Sequence, residues 1–233
     1  MKISGLQKMT LLDYPGKIAC TVFLGGCNFR CPYCHNSELL DGSAPTLMSM
    51  RELLAFLSGR KGLLDAVCIS GGEPTLQPEL PELLEQIKAM GFLAKLDTNG
   101  SLPEVLKELI SRNLLDYVAM DIKNSPDRYS RAIGVTWQQD KIEESIRFLT
   151  EGHVDYELRT TVVAQLHDPQ SLEDMGRWVN KLAKNKKINR WFVQPFTDRQ
   201  TVMYSGLCAP QDEQLSEYIR ILGQFSSHSS LRG

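Results

Sequence analysis

Short apolar runs alternate with amphipathic segments six times between residues 18 and 225 of this chain. The runs are rich in β-branched residues and nearly continuous in apolar character, as strands buried on both faces of a parallel sheet are. The segments between them place apolar residues on one face at helical spacing. The predicted strands cover residues 18–24, 66–70, 92–97, 116–122, 156–163 and 190–195. This alternation predicts an α/β fold with parallel strands and helices outside the sheet.

The number of repeated units limits the architecture. Six βα units are too few for a closed eight-stranded barrel, so we predict a partial, open (β/α)6 barrel of the TIM type. A doubly wound sheet also fits the pattern. No linker divides the chain, which predicts one domain over residues 1–225. Residues 226–233 are rich in serine, and we expect them to form a frayed tail.

Charge and hydropathy exclude several classes of partner. The chain has 26 basic and 28 acidic residues, a net charge of −2, which gives no basic footprint for nucleic acid. No segment approaches the roughly 18 consecutive apolar residues of a membrane span. The first residues also lack the apolar region of a signal peptide. We therefore expect a cytoplasmic protein that binds neither nucleic acid nor a membrane.

Three cysteines follow the first predicted strand with the spacing Cys-x3-Cys-x2-Cys, at Cys27, Cys31 and Cys34. A four-iron four-sulfur cluster normally takes four cysteine ligands. Three would leave one iron open, and an open position is typical of a catalytic metal site. Zinc held by the same cysteines and His35 is the alternative. We favour iron and sulfur, because structural zinc sites usually join two separated pairs of ligands.

A glycine pair and a carboxylate follow the second predicted strand. Sites in parallel α/β folds lie at the carboxyl ends of the strands, so this segment should lie near the cysteines. Gly71 and Gly72 have no side chains, which lets a ligand approach the backbone closely. Glu73 beside them offers an acceptor for a cationic amine. The sequence therefore predicts a ligand site at this edge of the sheet.

Charged residues of later strands are further candidates, each with a structural alternative. Asp97 ends the third strand, where it could instead begin a turn. Lys123 closes the fourth strand, where it could extend to solvent. Arg159 lies inside an apolar strand and needs an anionic partner, which a structural ion pair would also supply. These residues lie at the same predicted edge as the cysteines.

The cysteine spacing, with Tyr33 before the last cysteine and Gly-Gly-Glu-Pro at residues 71–74, resembles the radical S-adenosylmethionine (SAM) superfamily. The strings at residues 12–16 and 25–36 are most similar to glycyl-radical-enzyme activators, in particular those of anaerobic ribonucleoside-triphosphate reductase. The resemblance covers nearly the whole chain. Only 36 residues separate Cys34 from Gly71, so no insertion carries further clusters and one cluster is expected.

This resemblance implies a reaction and its partners. The open iron of one 4Fe-4S cluster binds SAM, and reduced flavodoxin or ferredoxin supplies an electron. SAM is then cleaved to methionine and a 5′-deoxyadenosyl radical. The radical takes a hydrogen atom from a glycine of the partner, the large subunit of anaerobic ribonucleotide reductase.

The resemblance also implies which residues hold SAM. Gly71, Gly72 and Glu73 hold the methionine amine. The remaining contacts are Tyr33 to His35 along the adenine, Asp97 at polar groups of the ligand, and Lys123 with Arg159 at its carboxylate. The last assignment agrees with physical chemistry, because a carboxylate in a dry site needs charge-assisted donors.

Other functions fit parts of the pattern. Activators of pyruvate formate-lyase resemble this chain but carry a histidine near the sixth strand, where residues 194–196 are Gln-Pro-Phe. A small-molecule radical SAM enzyme of the carboxy-deazaguanine synthase type is a second alternative. A zinc-stabilised binding module is the alternative that is not an enzyme.

Overall fold

The computed structural model describes residues 1–199 and 201–232, and the chain divides into two compact units built from interleaved segments. The first unit comprises Met1–Asn28, Glu38–Thr98 and Glu104–Val118. The second comprises Phe29–Ser37, Asn99–Pro103 and Ala119–Gly233. Cys27 therefore belongs to the first unit, whereas Cys31 and Cys34 belong to the second. One domain over residues 1–225 stays a prediction.

The strands form a sheet whose order follows the chain, with β1 and β8 at its ends. They are β1 Ile3–Thr10, β2 Ala19–Leu24, β3 Ala66–Gly71, β4 Leu93–Thr98, β5 Tyr117–Asp121, β6 Asp155–Val162, β7 Ile188–Pro195 and β8 Ser226–Leu231. β1 is antiparallel to β2, while β2 to β4 and β6 to β8 pair in parallel. The predicted α/β class with an open, mostly parallel sheet is confirmed, and all six predicted strands are present.

Helices connect most of the parallel strands. They are α1 Met50–Ser58, α2 Leu80–Ala89, α3 Pro103–Ser111, α4 Tyr129–Ile133, α5 Gln139–Thr150, α6 Pro169–Leu182 and α7 Asp212–Leu222. The predicted capping box at the start of α1 is present, with Ser49 and Glu52 bonded reciprocally. In the described part of the chain, no helix has the length and apolar character that crossing a bilayer requires.

The core of the first unit is built on β2, β3 and β4, whose side chains are mostly buried. Leu53 and Leu57 of α1 and Leu83 of α2 are fully buried. A separate aromatic contact joins Tyr14 to Tyr117, with ring centroids 5.4 Å apart. Tyr14 and Tyr117 pack with Ala19 and Ala66, the first residues of β2 and β3, so this cluster lies at the opposite strand ends from the candidate residues.

The core of the second unit surrounds β7. Trp191 is fully buried, and its indole nitrogen donates to Oγ1 of Thr160 over 3.0 Å. Tyr218 of α7 is also fully buried, and its hydroxyl donates to the carbonyl oxygen of His167 over 3.0 Å. Both of these buried polar atoms, the indole nitrogen of Trp191 and the hydroxyl of Tyr218, thus have a partner.

The expectation of a frayed tail at residues 226–233 is wrong over its described part, residues 226–232. β8 pairs in parallel with β7, in the register Arg190↔His228 and Phe192↔Ser230. Arg232 beyond it forms an ion pair with Glu157 of β6. Backbone pairing needs no apolar side chains, so a serine-rich strand carries almost no signal in the hydropathy pattern.

β1 is the other strand that the hydropathy pattern does not reveal. The exposure of its residues changes irregularly along Ile3–Thr10 instead of alternating. As an edge strand it is only partly buried, and its pairing with β2 contains irregular register shifts. Strands are predicted from continuous apolar runs or from strict alternation, and β1 shows neither pattern.

Candidate functional site

In the first unit, the segment leading to Cys27 is held by its backbone. After β2, the amide of Gly25 donates to the carbonyl of Lys2 over 3.1 Å. The amides of Gly26 and Cys27 donate to the carbonyls of Leu39 and Leu40, over 2.6 and 3.0 Å. The position of Cys27 is therefore fixed by three successive main-chain hydrogen bonds.

The glycine pair after β3 lies directly against this segment. The amide of Gly72 donates to the carbonyl of Leu24 over 2.9 Å, and that of Glu73 to the carbonyl of Gly26 over 2.8 Å. A Cβ on Gly71, whose φ is +120°, would lie 2.4 Å from backbone atoms of Leu24. A Cβ on Gly72 would lie 2.0 Å from the carbonyl oxygen of Gly26. Glycine is therefore needed here for contact with the chain's own backbone, and the predicted contact with a ligand stays a prediction.

Glu73 has a buried and well-oriented carboxylate. The residue is 1% exposed. Its Oε1 accepts hydrogen bonds from Oγ1 of Thr75 over 2.6 Å, from the amide of Thr75 over 3.1 Å and from Oγ1 of Thr98 over 2.8 Å. A carboxylate this buried favours a cationic partner. Neither threonine is predicted from the sequence, although Thr98 lies within the polar string that follows Asp97.

Asp97 forms a structural ion pair with a lysine that the sequence analysis does not single out. Lys95 lies two residues earlier on β4 and is fully buried, and its ammonium contacts Oδ1 of Asp97. Lys95 is in register with Cys68 of β3. The predicted contact of Asp97 with SAM stays a prediction. Lys95 gives a weak signal because single charged residues in apolar strands more often reach solvent.

In the second unit, the cysteine segment is held by the end of α4. The amide of Arg30 donates to the carbonyl of Ile133 over 2.8 Å. Gly134 ends α4 in the left-handed conformation, with φ +71°, and a Cβ there would lie 2.2 Å from the carbonyl oxygen of Arg30. The amide of Cys34 donates to the carbonyl of Cys31 over 3.1 Å, which forms a tight turn. Cys31 is buried and Cys34 half-buried.

His35 connects the cysteine segment to the loop after β7. Its Nε2 lies 2.7 Å from the carbonyl oxygen of Thr197, and its carbonyl accepts from Oγ1 of Thr201 over 2.7 Å. The ring stacks on Phe196 with centroids 5.5 Å apart. Burial lowers the pKa of His35, against the opposing effect of the Thr197 carbonyl. The ring therefore has a structural role, besides the predicted position along the adenine.

Tyr33 is buried with its hydroxyl unsatisfied. The residue is 4% exposed, and its hydroxyl has no hydrogen-bond partner within the part of the chain that the structure describes. Burial raises the pKa of Tyr33 well above its usual value, and Cys31 and Lys123 are among its charged neighbours. An unsatisfied buried hydroxyl costs about 1–3 kcal/mol, so such a group indicates a place where a ligand or a water molecule binds.

The two predicted cations of the second unit, Lys123 and Arg159, share one carboxylate. Oδ1 of Asp121 accepts from Nε of Arg159 over 2.9 Å, and its Oδ2 accepts from Nζ of Lys123 over 3.0 Å. Burial lowers the pKa of Lys123, but the charge of Asp121 and the neighbouring Cys31 and Tyr33 outweigh it, so the pKa is well above its usual value. Lys123 is therefore protonated at neutral pH. Asp121 ends β5 and is not predicted as a site residue.

His167 supports the backbone of Lys123 and is also absent from the sequence prediction. It is 3% exposed, and its Nε2 lies 2.9 Å from the carbonyl oxygen of Lys123. Its Nδ1 accepts from the amide of Val163 over 3.1 Å. Burial lowers the pKa of His167, which favours the neutral ring. Because Nδ1 accepts from the amide of Val163, the proton of the neutral ring is assigned to Nε2. No ligand-like spacing in the sequence reveals this role.

The three cysteines have the chemistry that a cluster requires. None of the cysteines forms a disulfide, so the thiols at Cys27, Cys31 and Cys34 remain for metal binding. Within residues 1–199 and 201–232, no three histidine, cysteine, aspartate or glutamate side chains form a preformed metal site. The assignment of these three cysteines as ligands therefore stays a prediction.

Comparison with known proteins decides the family. The profile of the radical SAM superfamily matches residues 21–186. The chain belongs to the radical SAM superfamily. Members of this superfamily use a 4Fe-4S cluster and SAM, which confirms the predicted cofactors at the level of the family.

Relatives over most of the chain are activating enzymes. A protein of Methanocaldococcus jannaschii, provisionally named a glycyl-radical enzyme activating enzyme, is 32% identical over 239 residues, covering 99% of this chain and 95% of the relative. The pyruvate formate-lyase-activating enzyme of Clostridium pasteurianum is 36% identical over 204 residues, covering 84% of this chain and 82% of the enzyme. The resemblance to glycyl-radical-enzyme activators is thereby confirmed.

A solved structure shares the fold. The crystal structure of SuiB of Streptococcus suis bound to its precursor peptide SuiA matches with a TM-score of 0.70, over 91% of this chain and 48% of SuiB. The two chains are 14% identical, so this likeness concerns the fold alone.

Proposed function

We propose that this chain is an activating enzyme that cleaves SAM reductively and installs a glycyl radical on a partner enzyme. The likeness to activating enzymes over nearly the whole chain carries the proposal. The partner we place first is the large subunit of anaerobic ribonucleoside-triphosphate reductase, with reduced flavodoxin or ferredoxin as the electron donor. When bound, the cluster and SAM supply the 5′-deoxyadenosyl radical that takes a hydrogen atom from the partner's glycine.

Cys27, Cys31 and Cys34 would hold the cluster. The hydrogen bonds at Gly26 and Arg30 hold the backbone directly before Cys27 and directly before Cys31. Glycine at position 72 preserves this arrangement, since a side chain there would displace the carbonyl of Gly26.

Glu73 would bind the ammonium group of SAM. Thr75 and Thr98 both donate to one oxygen, Oε1, which fixes the rotation of the carboxylate in the buried site. A charge-assisted hydrogen bond between ammonium and carboxylate is about twice as strong as a neutral one. The burial of Glu73 increases this attraction, because the local dielectric is lower than in water.

Lys123 and Arg159 would bind the carboxylate of SAM. Asp121 holds both cations through its two oxygens, which keeps their side chains in one orientation. His167 fixes the backbone of Lys123 through its carbonyl oxygen. The buried hydroxyl of Tyr33 has Lys123 as a charged neighbour and offers a further donor beside the cysteines.

The experiment is to mix the anaerobically reconstituted protein with SAM, a reductant and a candidate partner, and to record the paramagnetic resonance spectrum of the partner. A glycyl radical on anaerobic ribonucleoside-triphosphate reductase is expected. Protein carrying Cys31→Ala, treated identically, is the control and should give no radical. Production of 5′-deoxyadenosine without a radical on any glycyl radical enzyme would instead favour a small-molecule substrate of the carboxy-deazaguanine synthase type.

Pyruvate formate-lyase is the second candidate partner. The 36% identity to an activating enzyme of that lyase favours it. Where activators of pyruvate formate-lyase are expected to carry a histidine, residues 194–196 of this chain are Gln-Pro-Phe. This difference favours the reductase as the partner. Presenting both proteins in the same assay discriminates between them, since each glycyl radical is assigned to the protein that carries it.

A further inference from the structure

β8 is the last strand of the sheet, and in the described part of the chain it pairs only with β7. A strand directs its main-chain N–H and C=O groups towards both of its edges in turn. About half of these groups in Ser226–Leu231 therefore point away from β7. No other strand within residues 1–199 and 201–232 pairs with this outer edge, which presents donors and acceptors for a further strand.

An edge of this kind pairs readily with another extended segment, so proteins commonly protect edge strands with lysine, proline or a bulge. β1, at the other end of the sheet, contains Lys8, and its pairing with β2 has two register shifts. β8 contains neither lysine nor proline, and its register with β7 is unshifted from Ser226 to Leu231. The outer edge of β8 is therefore suited to pairing with a further strand.

The sequence of β8 is symmetric about His228. Ser226 and Ser227 precede this histidine, and Ser229 and Ser230 follow it. A two-fold axis at His228 would place two copies of β8 antiparallel, with every serine of one copy opposite a serine of the other. Hydroxyls directly opposite each other in a sheet can form hydrogen bonds, and no pair of like charges is created. The edge is thus complementary to itself, as the interface of a two-fold dimer must be.

Two side chains on one face of β8 would gain contacts in this arrangement. Oγ of Ser229 is buried and has no hydrogen-bond partner within the described part of the chain. The hydroxyl of Ser227 of the second copy would lie opposite it, within reach after one rotation about the Cα–Cβ bond of Ser229. Leu231 is 46% exposed, and the apolar side chain of Phe225 of the second copy would lie opposite it. Self-pairing would therefore satisfy a buried polar group and cover an exposed apolar one.

We propose that the outer edge of β8 binds the same edge of a second copy of this chain, antiparallel and with the two-fold axis at His228. The symmetry of the strand favours a second copy over a segment of another protein. This inference does not depend on the proposed enzymatic function. The edge of one six-residue strand is a small interface, since stable complexes bury at least about 1,200 Å². The dimer should therefore be reversible, with single copies predominating in dilute solution.

Sedimentation equilibrium of the cluster-reconstituted protein at a series of concentrations measures the self-association. The experiment is anaerobic and contains dithiothreitol, which prevents a disulfide through the exposed Cys208. A dimer whose population rises with protein concentration is expected. His228→Asp and His228→Lys each place two like charges opposite each other at the two-fold axis. Each should raise the Kd of the dimer about fivefold.

An equimolar mixture of His228→Asp and His228→Lys separates direct contact from an effect on folding. Each aspartate then faces a lysine, so the mixture should dimerise with a Kd within about twofold of that of the unmodified protein. Variants that weaken the dimer by disturbing β8 within each copy would not restore each other. Circular dichroism confirms that each variant is folded. His153→Asp, at an exposed histidine outside the sheet, is the matched control and should leave the Kd unchanged.

Three results would overturn the inference. One is a protein that sediments as single copies at every concentration, with amide exchange in β8 slowed only when a glycyl radical enzyme is added; the edge would then belong to that enzyme. Another is a dimer whose Kd is the same in His228→Asp and His228→Lys as in the unmodified protein, since the copies would then meet through another surface. The third is a mixture of the two variants that dimerises no better than either alone.

Discussion

A Cβ atom on Gly72 would lie 2.0 Å from the carbonyl oxygen of Gly26. The two residues belong to the segment after β3 and the segment after β2, and both segments carry residues of the candidate site. The amide of Glu73 donates to that same carbonyl over 2.8 Å. The backbone of Gly26, next to Cys27, and the backbone of Glu73 therefore constrain each other.

Gly72→Ala should displace this contact. The added methyl meets backbone rather than a flexible side chain, so overpacking of this kind should lower the free energy of unfolding by about 1–3 kcal/mol. Iron incorporation on reconstitution should also fall. Urea denaturation and iron analysis measure the two effects. Gly59→Ala is the control, because the added Cβ there meets its nearest atom at 3.6 Å. Equal stability and iron content in both variants would contradict the account.

Thr98→Val should weaken SAM binding without unfolding the protein. The change removes the hydroxyl that donates to Oε1 of Glu73 over 2.8 Å and leaves this buried carboxylate less well satisfied. The expected cost is about 1–3 kcal/mol. Equilibrium dialysis with SAM gives the affinity, and circular dichroism confirms the fold. Thr150→Val, where the hydroxyl bonds an exposed carbonyl of its own helix, should bind SAM normally. Normal affinity in Thr98→Val would exclude an orienting role for Thr98.

The sequence predicts the fold well where the spacing of apolar residues distinguishes strands from helices. The strands β2 to β7 are rich in apolar and β-branched residues, and the fold class follows from their alternation with helices. β1 and β8 are missed because they are edge strands with few apolar residues, and their stability comes from backbone pairing. Arg232 illustrates the limit, since its contact with Glu157 joins residues 75 positions apart in the chain.

Some residues of the candidate site can likewise be predicted from the sequence, and others cannot. Cysteine spacing and the Gly-Gly-Glu string are local signals, so they can be found in the sequence. Thr98, Asp121 and His167 contact the candidate residues Glu73, Arg159 and Lys123 from distant positions in the chain, so no local spacing reveals them. The structure also changes the interpretation of Gly71 and Gly72. Their small size is required by neighbouring backbone, which no pattern in a single strand reveals.

His167 should make folding stability sensitive to mild acid. Burial lowers the pKa of His167 in the folded protein, whereas in the unfolded chain it has the ordinary value of about 6.5. Below that pH the unfolded chain binds a proton that the folded protein does not, so stability falls as the pH falls. The slope from this residue is at most about 1.4 kcal/mol per pH unit, and it ends when the pH reaches the lowered pKa.

Unfolding in urea at a series of pH values between 7 and 5 measures this dependence. His167→Gln should reduce the slope, since glutamine can donate to the carbonyl of Lys123 but does not titrate. His228→Gln, at an exposed histidine of β8, should retain the full slope. An identical pH dependence in the unmodified protein and His167→Gln would show that another group is responsible.

Replacing a cysteine that binds the cluster and replacing a cysteine of the core should have different effects. Cys31→Ala should abolish binding of the iron–sulfur cluster, because two cysteines do not hold it. Cys68→Ala should retain the cluster, since Cys68 is fully buried within β3 and burial raises the pKa of its thiol. Iron and sulfide content with the visible absorption spectrum measure both variants. Cluster loss in folded Cys68→Ala protein would contradict the assigned ligand set.

The most direct test of radical SAM chemistry in this chain is the formation of 5′-deoxyadenosine. The protein is reconstituted with iron and sulfide under anaerobic conditions, reduced with dithionite and given SAM. We predict that 5′-deoxyadenosine and methionine form in equal amounts, and that the product disappears when Cys27, Cys31 or Cys34 is replaced by alanine. Protein that binds zinc stoichiometrically and forms no 5′-deoxyadenosine would contradict the account, and the cysteine segment would then be a structural zinc site.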